Sequence, residues 1–306
     1  MTTETSRFPA FRRLWQNPVT IKELRSRMRG RRAYVVLTTY LLLMSLFISL
    51  VYVLYAAAAS DPFGPNPRMA GKTVFGAVVG IQALLVIFLG PTFTAGAISG
   101  EKERQTYNLL RTTLLPAHSL VAGKLISALS YVFLLILASV PIQSIAFLLG
   151  GVSLLELVLA ELLIVVSAVA FALIGLFFSS LARSTLIASV STFAASLFLT
   201  FGLPAMALVI LPLGSALFFG PGSSPEMEVA LLYTGLSLAS TNLPVTLVLS
   251  DVFLVQEDAL FYFTETIRGY TVYIFSPWYV YLILYSLLAI ILYILTVGRV
   301  RKIPRR

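Results

Sequence analysis

The chain contains no cysteine and a single histidine, His118. Disulfides, thiol catalysis and cysteine-based metal sites are therefore excluded. One imidazole supplies neither a triad nor a metal set, so no catalytic residues and no metal site are expected. Charge is scarce too: 11% of the 306 residues are Asp, Glu, Lys or Arg, against about 25% in ordinary soluble domains. A chain that is 58% hydrophobic cannot cover a soluble globule with polar surface, so lipid is its expected solvent. Acids are fewer than bases, 13 against 22. A basic excess can mark nucleic-acid binding, but here the bases sit at the ends of apolar runs, the membrane pattern. No nucleic-acid partner is expected.

About 20 apolar residues cross a bilayer core as a helix. Six runs of that size predict spans at about 34–55, 74–95, 125–149, 157–178, 186–213 and 278–297. They leave no room for a soluble domain, so residues 1–306 read as one all-α transmembrane domain. Pro91, Pro141 and Pro204 fall inside runs, which membrane helices tolerate when neighbours satisfy the freed carbonyls. Between the spans, 19 of the 22 lysines and arginines fall on one side. Arg68, Lys72 and Arg268 fall on the other. This asymmetry orients the chain with both termini in the cytoplasm, in the plasma membrane.

Residues 214–276 fit less simply. They are rich in acids, yet 229–255 is largely apolar, with Asn242 and Pro244 at its centre. One full span there would carry the basic tail outside. Two half-helices broken near Asn242-Leu243-Pro244 keep it inside, as a re-entrant or interfacial hairpin; an outer amphipathic segment that never enters lipid is the alternative. Tyr273, Trp278, Tyr279 and Tyr281 are expected to meet the outer headgroups.

Two segments on the basic side read as helices outside the core. Residues 17–32, NPVTIKELRSRMRGRR, start with an N-cap at Asn17 and Pro18 at the first helical position. Ile21, Leu24 and Met28 share one face, while Lys22 and Arg25 point elsewhere. This predicts a basic amphipathic helix on membrane lipid; a positive topology flank that happens to be helical is the alternative. Residues 98–124, ISGEKERQTYNLLRTTLLPAHSLVAGK, combine a possible cap at Ser99 with acids at a helix start. Tyr107, Leu110 and Leu114 share a face, Pro116 stops the helix and Ser119 can restart one. That fits docking to a cytoplasmic partner, or a helix resting on the bilayer.

These segments resemble type 2 permeases of ABC transporters, the exporter class. NPVTIKELRSRMRGRR resembles the family's connecting helix. Residues 98–124, with the Ser99-to-Arg104 string SGEKER often seen in the family, resemble its coupling region, and FFSSLARST, residues 177–185, its second inner turn. Gln105 stands where glycine is common in that family. The resemblance implies a pair of permeases, as a homodimer or heterodimer, above two cytoplasmic ABC ATPase subunits that bind ATP and Mg. It implies a coupling helix from Glu101 to Leu115 seated on the ATPase. Glu101, Lys102, Glu103, Arg104, Tyr107, Leu110, Arg111 and Leu114 would make the contact. Apart from the resemblance, a non-transporting membrane scaffold for an assembly or enzyme complex fits the same pattern.

The chain itself lacks a phosphate loop. Gly71-Lys72-Thr73 has Asn66 where the motif needs its first glycine, and Gly123-Lys124 is followed by Leu125. No cofactor of its own is expected. Glu156 and Glu161 lie at the start of the fourth run and are expected at the interface, since 17 apolar residues from Leu162 suffice to cross. Gln82 and Gln143 are expected to hydrogen-bond between helices. Gly76-x-x-x-Gly80 and Gly96-x-x-x-Gly100 permit close helix approach. The scarcity of polar groups inside the spans suits amphipathic or lipid-like cargo better than small ions.

Overall fold

The computed structural model describes residues 31–59, 70–107, 116–218, 225–267 and 269–301. Helix α1 runs over Arg31–Ala59 and α2 over Ala70–Thr94. A turn leads to the short α3, Ser99–Glu103. Then come α4, Ala117–Leu149, α5, Leu154–Leu181, and α6, Thr185–Leu197. A π-helical turn, Phe198–Gly202, joins α6 to α7, Leu203–Phe218. Helices α8, Pro225–Ala239, and α9, Leu243–Gln256, precede strands β1, Tyr262–Ile267, and β2, Tyr270–Phe275. Helix α10, Pro277–Arg301, completes the described chain. Among the described residues the chain is all-α apart from this one hairpin, and residues 17–30, the expected amphipathic segment with Ile21, Lys22, Leu24, Arg25 and Met28, lie outside them.

Among the described residues, six helical units of at least 25 residues are long and apolar enough to cross a membrane. Twenty-five residues rise about 37 Å, more than the roughly 30 Å hydrocarbon core. Their surfaces carry what water would reject. Leu42, Leu43 and Leu46 are exposed on α1, Leu148 is 84% exposed on α4 and Leu208 is 76% exposed on α7. Apolar exposure on this scale marks a multi-pass membrane protein. Each helix outruns its apolar run. The third predicted span begins at 125, yet α4 starts at Ala117, because hydrogen bonding continues past the last lipid-facing residue.

The centre of the bundle is the α2–α5 pair, flanked by α4 and α10. Small residues bring the elements together. A Cβ on Gly71 would lie 2.0 Å from the carbonyl oxygen of Gly150, so only glycine lets α2 meet the α4–α5 turn. Three buried hydroxyls are satisfied locally: Ser167, Thr192 and Thr296 each donate to the carbonyl four residues back. In lipid that local solution avoids the cost of an unpaired polar group.

Helices α8 and α9 meet at a 120° bend, as the Asn242-Leu243-Pro244 break predicts. The Asn242 side chain accepts from the Val245 N–H and caps α9, with Pro at the helix start. The tip is deeply buried, with Ser240, Asn242 and Thr246 almost wholly covered. Asn242 Nδ2 donates to the Thr200 carbonyl at 2.5 Å. Pro204 explains why that carbonyl is available, since it has no N–H to offer the residue four positions back. On the other side Tyr285, about two turns into α10, donates to the Thr241 carbonyl at 2.7 Å. The tip therefore sits beside the middle of the α6–α7 unit.

Strands β1 and β2 pair antiparallel from Tyr262–Phe275 to Ile267–Tyr270. Val272 and Ile274, two apart, are buried while Tyr270 and Tyr273 are exposed. That alternation in TVYIF is the strand period, and it adds one small hairpin to the expected all-α architecture. A correction concerns the aromatic belt. Trp278 Nε1 donates to the Leu260 carbonyl at 2.6 Å and its ring meets that of Tyr279, while Tyr273 pairs with Tyr262 on the facing strand. Tyr281 does not join them. It is fully buried, stacked on Tyr285 at 4.1 Å and hydrogen-bonded to Ser167.

Candidate functional site

The Glu101-Lys102-Glu103 run is engaged within the chain. Glu101 Oε1 pairs with Lys124 Nζ at 2.7 Å, and the same ammonium donates to the Ala97 carbonyl at 2.8 Å. Lys124 is almost wholly buried on α4, and a buried ammonium requires such partners. Lys102 Nζ donates to the carbonyls of Ser180 and Ala182 at 2.5 and 3.0 Å. These are among the last carbonyls of α5, which have no partner inside the helix. Glu103 does the converse. Its carboxylate accepts from the Thr185 N–H at 2.8 Å and the Thr185 hydroxyl at 3.0 Å, at the start of α6, where a helix favours negative charge.

Capping differs from the expectation. Ser99 lies inside α3 and does not cap it. Ser179 Oγ on α5 accepts from the N–H groups of Ile98 and Ser99 at 2.9 and 3.0 Å. Likewise Pro116, not Ser119, precedes α4. The expected continuous helix from Glu101 to Leu115 is interrupted. α3 ends at Glu103, and Gln105 takes a φ of 58°, the left-handed region that glycine favours. Tyr107 packs beside α10, its hydroxyl 3.5 Å from the Val300 carbonyl. Arg104 is exposed. Leu110, Arg111 and Leu114 lie outside the described residues. His118 sits in the first turn of α4, where its carbonyl accepts from the Tyr293 hydroxyl at 3.3 Å.

Inside the bundle a second polar group gathers around Glu161, the residue expected at the interface. The residue lies two turns into α5. Its Oε1 accepts from Gln143 Nε2 at 2.5 Å and Gln82 Nε2 at 3.2 Å. Gln143 Nε2 also reaches Gln82 Oε1 at 2.8 Å, and Gln82 donates to Ser139. The helix simply continues past the point where 17 apolar residues would have sufficed. Gln82 and Gln143 make the interhelical hydrogen bonds expected of them, and the network ties α2, α4 and α5.

At the opposite end from α3, Glu156 stays near the start of α5 as expected. Ser153 caps that helix, accepting from the Glu156 N–H at 3.2 Å and donating to its carboxylate at 3.0 Å. Lys72 lies 3.0 Å from Asp251 on α9 and 3.6 Å from Glu156. The glycine pairs divide. A Cβ on Gly100 would meet the Thr185 methyl group at 3.5 Å, whereas a Cβ on Gly76 or Gly80 would meet nothing within 4 Å. Among the described residues no three His, Asp or Glu side chains gather as a metal set. No protein-family model matches the chain, and no curated protein matches it.

Proposed function

We propose that the chain is the permease subunit of an ATP-driven ABC exporter, with the α3 end in the cytoplasm of a plasma-membrane protein. One observation carries this reading. Three consecutive charged residues, Glu101, Lys102 and Glu103, fasten α3 to the start of α4, the end of α5 and the start of α6. A load applied to the segment after α3 passes directly into three membrane helices. A loop that only connected two spans would have no need of such a clasp. The basic side of the chain, with 19 of 22 lysines and arginines, supports the orientation.

On this reading the clasp transmits motion and the segment beyond it makes the contact. Arg104, exposed at the end of α3, and Leu110, Arg111 and Leu114 face a cleft on a separate ABC ATPase. That partner binds ATP and Mg and closes on nucleotide. Closure biases two states of the membrane bundle by binding one better than the other. A second protomer completes the pathway, and the α8–α9 hairpin is re-entrant from the extracytoplasmic face.

Affinity isolation in mild detergent tests the proposal. The expected result is co-purification with a nucleotide-binding ATPase, weakened about tenfold by Arg104→Glu with Leu114→Glu, as the loss of one charge-assisted contact predicts. Glu103→Lys should leave the ATPase bound but remove the stimulation of its turnover by transport. Recovery of only non-nucleotide enzymes, unaffected by these changes, would support the scaffold reading instead.

A further inference from the structure

A cleft of about 200 Å³ opens between α2, α5 and α9 at the hairpin end of the bundle. Its walls are apolar: Phe75, Val79, Leu163, Leu247 and Leu254. Gly76 and Gly80 are exposed one turn apart along α2, and the space beside them is empty. Gly80 lies about 15 Å from the start of α2, the depth of one leaflet of hydrocarbon.

The mouth of the cleft has a different chemistry. Lys72, Glu156 and Asp251 all line it. Only the Lys72–Asp251 pair is at hydrogen-bond distance, 3.0 Å against 3.6 Å for Lys72–Glu156. Glu156 Oε2 is buried without a hydrogen-bond partner. So is the hydroxyl of Ser250, a residue only 4% exposed. Buried polar atoms in this state are costly unless something completes them. The ammonium has donors to spare and the carboxylates have lone pairs to spare. Both signs of charge thus await partners above an apolar slot one leaflet deep.

We propose that this cleft binds one membrane phospholipid with a zwitterionic, primary-amine headgroup. The phosphate accepts from Lys72, the amine donates to Glu156 and Asp251, and one acyl chain lies along the Gly76–Gly80 slot. A purely anionic headgroup would meet two carboxylates against one ammonium. A quaternary amine has no N–H to donate. The site invokes no nucleotide and no ATPase, so it stands or falls apart from the exporter reading.

The test reconstitutes the full chain in vesicles of equal parts phosphatidylethanolamine, phosphatidylcholine and phosphatidylglycerol. Native mass spectrometry then reads the lipids that survive mild extraction. One phosphatidylethanolamine per protomer is expected, enriched about tenfold over the others. Gly80→Leu places a Cβ with nothing within 4 Å and fills the slot beyond it; it should abolish retention while leaving the melting temperature unchanged. Glu156→Gln with Asp251→Asn should turn the preference toward phosphatidylglycerol. Three results would each overturn the proposal. One is equal retention of all three lipids. Another is retention that survives both Gly80→Leu and Gly76→Leu. The third is efficient disulfide cross-linking of Gly76→Cys between protomers, which would mean that a second copy covers this face.

Discussion

Gln105 holds a backbone conformation that costs an ordinary side chain about 1 kcal/mol or more. It sits just after the residues that clasp three helices, and its strained turn directs the chain away from α3. Gln105→Gly should therefore raise stability by about 1 kcal/mol, visible as a higher melting temperature in detergent. Asn242 presents the opposite case, one side chain serving two backbone groups. Asn242→Leu removes the cap of α9 and leaves the Thr200 carbonyl without its donor, at a cost of about 1–3 kcal/mol. Pro204→Ala in that background restores an N–H four residues beyond Thr200 and should recover part of the loss. Without that recovery, the account of why Thr200 is available would be wrong.

Among the elements, the α2–α4–α5 packing depends on the Glu161, Gln82 and Gln143 network. Glu161→Leu should lower stability by about 1 kcal/mol, the usual scale for hydrogen bonds between membrane helices, while Glu161→Gln should keep most of it. Thermal unfolding of the two variants separates these outcomes. The six long helices were legible because lipid demands about 20 apolar residues in a row, and run length alone finds them. The Asn242–Pro244 break was legible from cap and turn chemistry. The partners of Glu161 were not, because Gln82 and Gln143 are distant in sequence and nothing in their spacing shows that they converge on it. The β-hairpin left a period-two pattern in TVYIF, hidden within a segment otherwise read by its charges. Glu101, Lys102 and Glu103 could be singled out in the sequence by their charge. Their partners Lys124, Ser180 and Thr185 could not be, since spacing along a chain carries no information about which helix ends meet.

For the molecule as a whole, the absence of cysteine offers a clean experiment. Thr106 after α3 and Thr264 in β1 are exposed at opposite ends of the bundle. Thr264→Cys should react with a membrane-impermeant maleimide in intact cells, and Thr106→Cys only after permeabilisation. The reverse result would invert the orientation on which the exporter reading depends. The bond between Asn242 and Thr200 also constrains the order of events during synthesis. The α6–α7 unit leaves the ribosome first, carrying an unpaired carbonyl near its middle, and its partner is still some forty residues away. A nascent chain stalled before the hairpin should hold that unit loosely, at the insertion machinery or against water. Release into lipid should come only once the hairpin arrives, a timing that photo-crosslinking to the translocation channel at successive chain lengths can follow.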